Sequence, residues 1–215
     1  MNTPKKAVLG RPKNPEKRQA ILHAAAELFP QKGYDGVSMM EIADKAGVSK
    51  LTLYSHFNDK EDLFTQSVID CCEQQLPAST FKLAPGLSLE QALRAIGTGF
   101  LELIMDEKSI TLHRMIIKQT GSDTTHAELF FKAGPARMLS EMRSFLEQAS
   151  RNGALSIAEP GIAAEHYFCL LKGLVYMRVL MGISAPPGKL ARDAHVNEVV
   201  ALFLSAYAPQ QAHQR

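Results

Sequence analysis

Apolar residues recur at intervals of three and four along most of this chain, and that periodicity restricts its fold more than any other feature. The stripes over residues 21–29, 89–104 and 196–204 are clear examples. Each interval is close to one helical turn, so every such segment has one apolar face. No stretch of useful length alternates apolar and polar residues as a half-buried strand would. We therefore predict an all-α fold.

Capping residues mark where the helices begin. Pro15 is expected in the first turn of the first helix. Ser38 stands three residues before a glutamate, the pattern of a capping box, and Ser49 is placed to cap a further short helix. Longer helices follow, and the last two are predicted over about 160–182 and 189–207.

A short polar segment, GVSKLTLYSHF at residues 47–57, calls for an explanation other than core packing. On a helix, Leu53 and Phe57 lie one turn apart and define a buried side, with Leu51 and Ser55 opposite them. A helix this short is not stable alone, so it must pack on its neighbours and present its other side outward. Two short helices joined by a glycine-containing turn form a helix-turn-helix, whose second helix suits the major groove of DNA.

The outward residues carry the chemistry that DNA contacts need. Hydroxyl, tyrosine and cationic groups such as Thr52, Tyr54 and Lys50 bind phosphate oxygens and fix the register on the duplex. The Leu51 side chain is suited to an apolar contact with a thymine methyl group, and the Ser55 hydroxyl is suited to a hydrogen bond with a base edge. The charge distribution agrees, since residues 1–60 contain ten Lys and Arg against six Asp and Glu, although the whole chain carries only +2.

The same region resembles the DNA-binding domain of TetR-type (tetracycline-repressor-type) transcriptional regulators. The resemblance covers about residues 15–70 and rests on RQAILHAAAELFPQKGYDG (18–36) and SMMEIADKAGVSKLTLYSHFNDKEDLF (38–64). Two positions depart from the family pattern: Pro30, expected to kink the first helix, and Leu51, where a small residue is common. The resemblance implies contacts to the DNA backbone from Ser38, Lys50, Thr52, Tyr54, His56 and Lys60, and contacts to bases from Leu51 and Ser55. With the cap residue Ser49, these residues are our candidate DNA-binding set.

The basic N-terminal arm, residues 1–14, has two interpretations. Its GRPK sequence at residues 10–13 resembles the core of a hook that binds the minor groove, with Arg11 or Lys13 entering a narrow A·T-rich groove. The alternative is a disordered, solubilising tail that does not contact DNA.

The C-terminal part is expected to dimerise and to bind a ligand. The resemblance implies a small apolar effector between long helices, whereas the same apolar stripes can also be plain core. The candidate lining residues are Phe100, Met115, Phe130, Phe131, Met138, Met142, Tyr167, Phe168, Tyr176 and Met177. Helices 160–182 and 189–207 are predicted to form a four-helix interface between two copies, which makes the operator a near-palindrome.

Other functions find little support in the sequence. His113, His166 and Cys169 form no dense ligand cluster, so no metal and no cofactor are predicted. Cys71 and Cys72 are adjacent on a helix, so one is expected in the core and the other exposed, and redox sensing remains an alternative. No motif for catalysis is present.

The location predicted for the chain is the cytoplasm. Three cysteines without a pairing pattern indicate a reducing compartment, and residues 1–20 lack the apolar core of a secretory signal. The apolar run over 161–183 contains too many charges for a membrane span.

These inferences give one prediction and two rivals. We predict an arm (1–14), a helix-turn-helix domain (15–60, with the motif at about 38–57) and a helical effector-binding and dimerisation domain (61–215). Together they indicate a DNA-binding repressor released by an effector. The rivals are a DNA-binding regulator without an effector, controlled by a partner protein or by its abundance, and an enzyme or carrier on an all-α scaffold.

Overall fold

The structure is a computed structural model that describes residues 14–119 and 124–209. Every regular element in these residues is helical, which confirms the all-α prediction. The α-helices are α1 Pro15–Lys32, α2 Met39–Lys45, α3 Lys50–His56, α4 Lys60–Gln75, α5 Leu89–Met105, α6 Glu107–Gln119, α7 Thr125–Ala133, α8 Pro135–Arg151, α9 Pro160–Leu180 and α10 Lys189–Tyr207, with a short 3₁₀ helix over Ala78–Phe81. None of the described helices is both long and apolar enough to cross a membrane.

The apolar residues form two clusters. The N-terminal cluster joins α1, α2 and α3 to the first half of α4, and it also takes in residues of α6 and α7. The C-terminal cluster joins α5, α8, α9 and α10. Helix α4 is therefore shared, because Leu63 and Phe64 lie in the N-terminal cluster while Cys71 packs against the C-terminal one.

The first helix is helical through Pro30 as far as Lys32 and ends at Gly33, whose amide donates to the carbonyl of Phe29. Its buried face packs against α4 and α6. Phe29 and Tyr34 meet Phe64 of α4 edge to face, with ring centroids 5.0 and 5.4 Å away. This aromatic group fixes α4 against α1, on which α2 and α3 also pack.

Helix α9 differs from the uninterrupted helix that the sequence predicts. It is broken at Gly173, where φ is 49° and ψ is −167°. A side chain at this φ would be strained, so a glycine is required here. Beyond the break, Arg114 of α6 donates to the carbonyls of Val179 and Leu180 at 2.7 and 2.8 Å, which ties α6 to the end of α9.

Candidate DNA interface and effector cavity

The helix-turn-helix is formed by α2 and α3, and a serine caps each helix. Ser38 Oγ accepts from the amide of Glu41 at 3.1 Å, and Ser49 Oγ accepts from the amide of Thr52 at the same distance. The Ser49 and Thr52 hydroxyl oxygens also lie 2.9 Å apart. Each cap amide occupies a lone pair of the serine oxygen, so the Ser38 hydroxyl hydrogen can still be donated to a phosphate.

Helix α3 has a buried side and an outward side. Leu53 and Phe57 are fully buried, whereas Leu51 is 82% exposed and Tyr54 is 44% exposed. Lys50 and Ser55 are also exposed, and the Lys50 ammonium lies 5.9 Å from the centroid of the Tyr54 ring. The large apolar side chain of Leu51 thus faces outward from the helix that is predicted to enter the major groove.

Two candidate contacts have geometry that limits their role. Ser55 Oγ donates to the carbonyl of Thr52 at 2.6 Å, so a base edge would meet Ser55 as an acceptor. His56 is only partly exposed, and its ring lies 6.3 Å from that of Phe57, at the edge of the buried side. Arg11 and Lys13 lie outside the described residues.

Lys60 has hydrogen-bond partners within the protein. The sequence predicts a phosphate contact, but its ammonium donates to the carbonyls of Tyr34 and Val37 at 2.9 and 3.0 Å. The same ammonium lies 4.4 Å from the Tyr34 ring centroid. Lys60 therefore binds the turn between α1 and α2, and we propose that it supports the helix-turn-helix instead of contacting a phosphate.

The two lysines should consequently respond differently to neutralisation. In Lys50→Met, the slope of log K against log salt for DNA binding is expected to fall in magnitude by about 0.9 for each bound subunit, the value for one phosphate contact. In Lys60→Met, the slope should stay unchanged while stability falls by about 1–3 kcal/mol, because charge-assisted hydrogen bonds are lost. Titrations at several salt concentrations, with urea unfolding, separate the two effects. Equal slope changes in both variants would return Lys60 to the phosphate contacts.

A cavity of about 420 Å³ lies between α4, α5, α6, α7, α8 and α9. Most of its lining is apolar, and aromatic residues line several of its walls. Its lining residues are Val68, Cys71, Cys72, Phe100, Leu103, Ile104, Ser109, Leu112, His113, Ile117, Phe130, Phe131, Gly134, Pro135, Met138, Leu139, Glu165, Phe168, Cys169, Lys172, Tyr176 and Leu180. This volume is in the range of small-molecule sites, about 300–1,000 Å³.

The cavity includes six of the ten candidate lining residues, namely Phe100, Phe130, Phe131, Met138, Phe168 and Tyr176. Four others lie elsewhere. Met115 packs in the N-terminal cluster, Met142 is fully buried in the C-terminal one, and Met177 is on the outer side of α9, 49% exposed. Tyr167 donates its hydroxyl to the Leu93 carbonyl at 2.6 Å and is buried there. Periodicity identified apolar faces but did not show which of them border the cavity.

A neutral pair of polar side chains lies in the cavity wall. The Tyr176 hydroxyl oxygen is 3.0 Å from His113 Nδ1. Burial and the nearby positive charge of Lys172 lower the pKa of His113 to about 4, and burial raises the pKa of Tyr176 to about 12. Both side chains are therefore uncharged at neutral pH. Sequence reasoning considered His113 only as a metal ligand and missed this role.

All three cysteines line the cavity. Cys71 and Cys72 are both half-buried, so the expectation of one core and one exposed cysteine was wrong. Burial raises the pKa of both thiols, that of Cys72 to about 12, which disfavours the reactive thiolate. Among the residues that the structure describes, no group of three or more His, Cys, Asp or Glu is arranged to hold a metal ion.

Comparisons with known families agree with this arrangement. Residues 21–66 match the profile described as bacterial regulatory proteins, tetR family. Residues 91–209, more than half of the chain, match the AefR-like transcriptional repressor, C-terminal domain. The two matches cover the helix-turn-helix and most of the cavity-bearing part.

Individual proteins show the same relationship. The chain is 30% identical to a TetR-family transcriptional regulator from Mesorhizobium loti, with a TM-score of 0.74 over 91% of this chain and 99% of that one. It is also 30% identical to a protein named flavonoid-responsive regulator FrrA, with a TM-score of 0.70 over 92% and 100% of the two chains. It is 36% identical over 89 residues to the HTH-type transcriptional activator FasR of Mycolicibacterium smegmatis, 41% of either chain.

The matched segments span less than half the length of the curated relatives, whereas the two solved structures are covered almost completely. The matched domains and relatives are transcriptional regulators rather than enzymes. Regulators of this kind bind DNA and dimerise. From its helix-turn-helix, its helical C-terminal part and these matches, the chain belongs to the TetR family of transcriptional regulators.

Proposed function

We propose that this protein is a cytoplasmic, homodimeric repressor that binds a near-palindromic operator and is released from it by a small-molecule effector. One observation carries the proposal: α4 connects the cavity to the domain that contains the helix-turn-helix. Val68 and Cys72 line the cavity, while Leu63 and Phe64 of the same helix lie in the apolar cluster that also contains residues of α1, α2 and α3. A ligand that moves α4 would therefore also disturb α1, on which both α2 and α3 pack.

The DNA contacts follow from the outward side of the helix-turn-helix. Ser38, Ser49, Lys50, Thr52 and Tyr54 would bind the phosphate backbone, with His56 at the edge of this surface. Leu51 and Ser55 would meet base edges in the major groove. Arg11 and Lys13 remain predicted minor-groove contacts.

The proposed dimer interface is formed by the outer faces of α9 and α10. Leu174 of α9, Leu202 of α10 and Met181, which directly follows α9, have exposed large apolar side chains. A two-fold axis between them would pair the helices of two copies and place two recognition helices about 34–36 Å apart, one turn of B-DNA. This spacing is the reason for proposing a near-palindromic operator.

Coupling requires that the effector prefer one of two conformations. It would shift the equilibrium only by its difference in affinity between the DNA-binding conformation and another in which α4 has moved. The Arg114 contacts to the end of α9 offer a second connection, because α6 also packs on α1. The name of the FrrA regulator, which is similar over its whole length, supports a small-molecule effector.

Regulation without an effector is less well supported. A tightly packed C-terminal core would favour that rival, whereas an apolar cavity of about 420 Å³ lies in this part of the chain. The cavity also supports the interpretation that some residues of the apolar stripes line a ligand site, and do not only pack in the protein core.

The first experiment is a mobility-shift assay with DNA from upstream of the protein's own gene and its divergent neighbour. Wild type should give a discrete shift that unrelated DNA does not compete away. Tyr54→Ala should bind at least about tenfold more weakly because it loses its phosphate contact and its packing area. Tyr54→Phe is the matched control, since it removes only the hydroxyl.

A cavity-filling variant tests the effector. Leu139 is only partly buried and lines the cavity, so Leu139→Trp should fill space without exposing core. It should bind the operator as wild type does but resist release by compounds that dissociate wild type. Release of both proteins at the same compound concentration would refute an effector site in this cavity.

A further inference from the structure

We propose that the effector is an uncharged aromatic molecule bearing a hydroxyl group, and that Tyr176 is the residue that recognises this hydroxyl. The inference rests on the proposed function, because it names the ligand class for the same cavity. Three features of the lining carry it: aromatic walls, a neutral hydrogen-bonding pair, and balanced charges.

The first feature is the density of rings around the cavity. Phe100 and Phe168 lie with their centroids 4.4 Å apart on one pair of helices, α5 and α9. Phe130 meets the ring of His113 edge to face at 5.1 Å, and His113 meets Tyr176 in the same way at 6.0 Å. Rings in such arrangements present both faces and edges, which favours an aromatic guest over an alkyl chain.

The second feature is the chemistry of the Tyr176 hydroxyl. If it donates to His113 Nδ1, its oxygen keeps lone pairs that can accept from a ligand hydroxyl. If His113 donates instead, the tyrosine O–H is free to donate to the ligand oxygen. In either tautomer of His113, the Tyr176 hydroxyl can form a hydrogen bond with a ligand hydroxyl, because a hydroxyl can both donate and accept. His113 acts as the positioning residue, since it holds the phenol ring in place.

The third feature is the absence of net charge. Lys172 and Glu165 both line the cavity, lie two turns apart on α9, and are exposed. Their opposite charges cancel, and the neighbouring His113 and Tyr176 are neutral because burial disfavours their charged forms. A carboxylate in the cavity would lose its hydration and would be repelled by the negative charge of Glu165, which offsets its attraction to Lys172.

Four probes of similar size separate these features. Naphthalene, 2-naphthol, 2-naphthoate and 1-decanol differ in their hydroxyl, charge and aromaticity, and 2-naphthol is uncharged at neutral pH. Binding to the full-length protein would be measured by calorimetry, or by competition with a fluorescent probe, for wild type, Tyr176→Phe and the cavity-filled Leu139→Trp. Circular dichroism would check that each variant is folded.

Wild type should bind 2-naphthol about tenfold more tightly than naphthalene, the effect of one well-placed hydrogen bond. In Tyr176→Phe that difference should fall to about twofold or less, while naphthalene binding stays unchanged. A loss of cavity shape would instead weaken both ligands equally. Both 2-naphthoate and 1-decanol should bind more weakly than 2-naphthol.

The contrary outcomes are distinct. Preference for 2-naphthoate or 1-decanol would overturn the ligand class but leave an effector cavity, and so the proposed function, in place. A 2-naphthol preference that survives in Tyr176→Phe would overturn the role of Tyr176. If no probe binds wild type better than it binds Leu139→Trp, both the ligand class and the effector site are refuted.

Discussion

Replacing Phe64 by alanine is expected to lower the free energy of unfolding by about 3–5 kcal/mol, the usual cost of removing a fully buried aromatic side chain. Phe64 is fully buried and lies edge to face against Phe29 and Tyr34, with ring centroids 5.0 and 5.4 Å away. Truncation would remove both ring contacts and leave a void under the helix-turn-helix. Urea unfolding followed by circular dichroism measures the loss.

The effect on DNA binding should depend on which apolar cluster loses stability, and not only on how much stability is lost. Phe145→Ala is a matched control, because Phe145 is equally buried but lies in the C-terminal cluster. Both variants should lose similar stability. At a temperature where both remain folded, only Phe64→Ala should bind operator DNA more weakly, since it loosens α4 against α1, on which α2 and α3 pack. Equal losses of DNA affinity would show that both clusters support the DNA-binding surface and would remove α4 as the specific link.

Much of the helix-turn-helix could be predicted from sequence because its determinants are local. The caps by Ser38 and Ser49 and the buried position of Leu53 follow from residues three or four apart, and the structure has all three. Whether the exposed residues of α3 contact DNA is a prediction that the DNA-binding experiments must test.

Features that depend on distant residues could not be predicted in the same way. Lys60 is predicted as a phosphate contact from its place in the motif, and only the fold shows that it donates to carbonyls 26 and 23 positions earlier in the chain. Tyr176 and His113 are 63 positions apart, and no local pattern indicates that they meet. Gly173 lies within an apolar run, where spacing alone predicts a continuous helix. In each case the deciding interaction is tertiary, or is a backbone conformation that only glycine adopts readily.

The second large effect is expected for a substitution on the outer face of α9 and α10, the proposed dimer interface. Leu174 follows the break at Gly173 and is 81% exposed, and Met181 at the end of α9 and Leu202 of α10 are also largely exposed. Large apolar side chains concentrated on neighbouring helices mark an interaction surface rather than scattered surface residues. In a regulator of a dimerising family, a second copy is the partner that this surface best fits.

Leu174→Asp is therefore expected to convert the dimer to monomers and to weaken operator binding by about 10²–10⁴-fold. The carboxylate would have to be buried without a partner in the interface, and each monomer would then bind one half-site without the gain from bivalency. Sedimentation velocity measures the oligomeric state, and mobility shifts measure the affinity. Leu87→Asp introduces the same charge at an exposed leucine before α5 and should change neither. A Leu174→Asp protein that remains dimeric with full operator affinity would place the dimer interface on a different surface, and the operator geometry proposed above would then lose its basis.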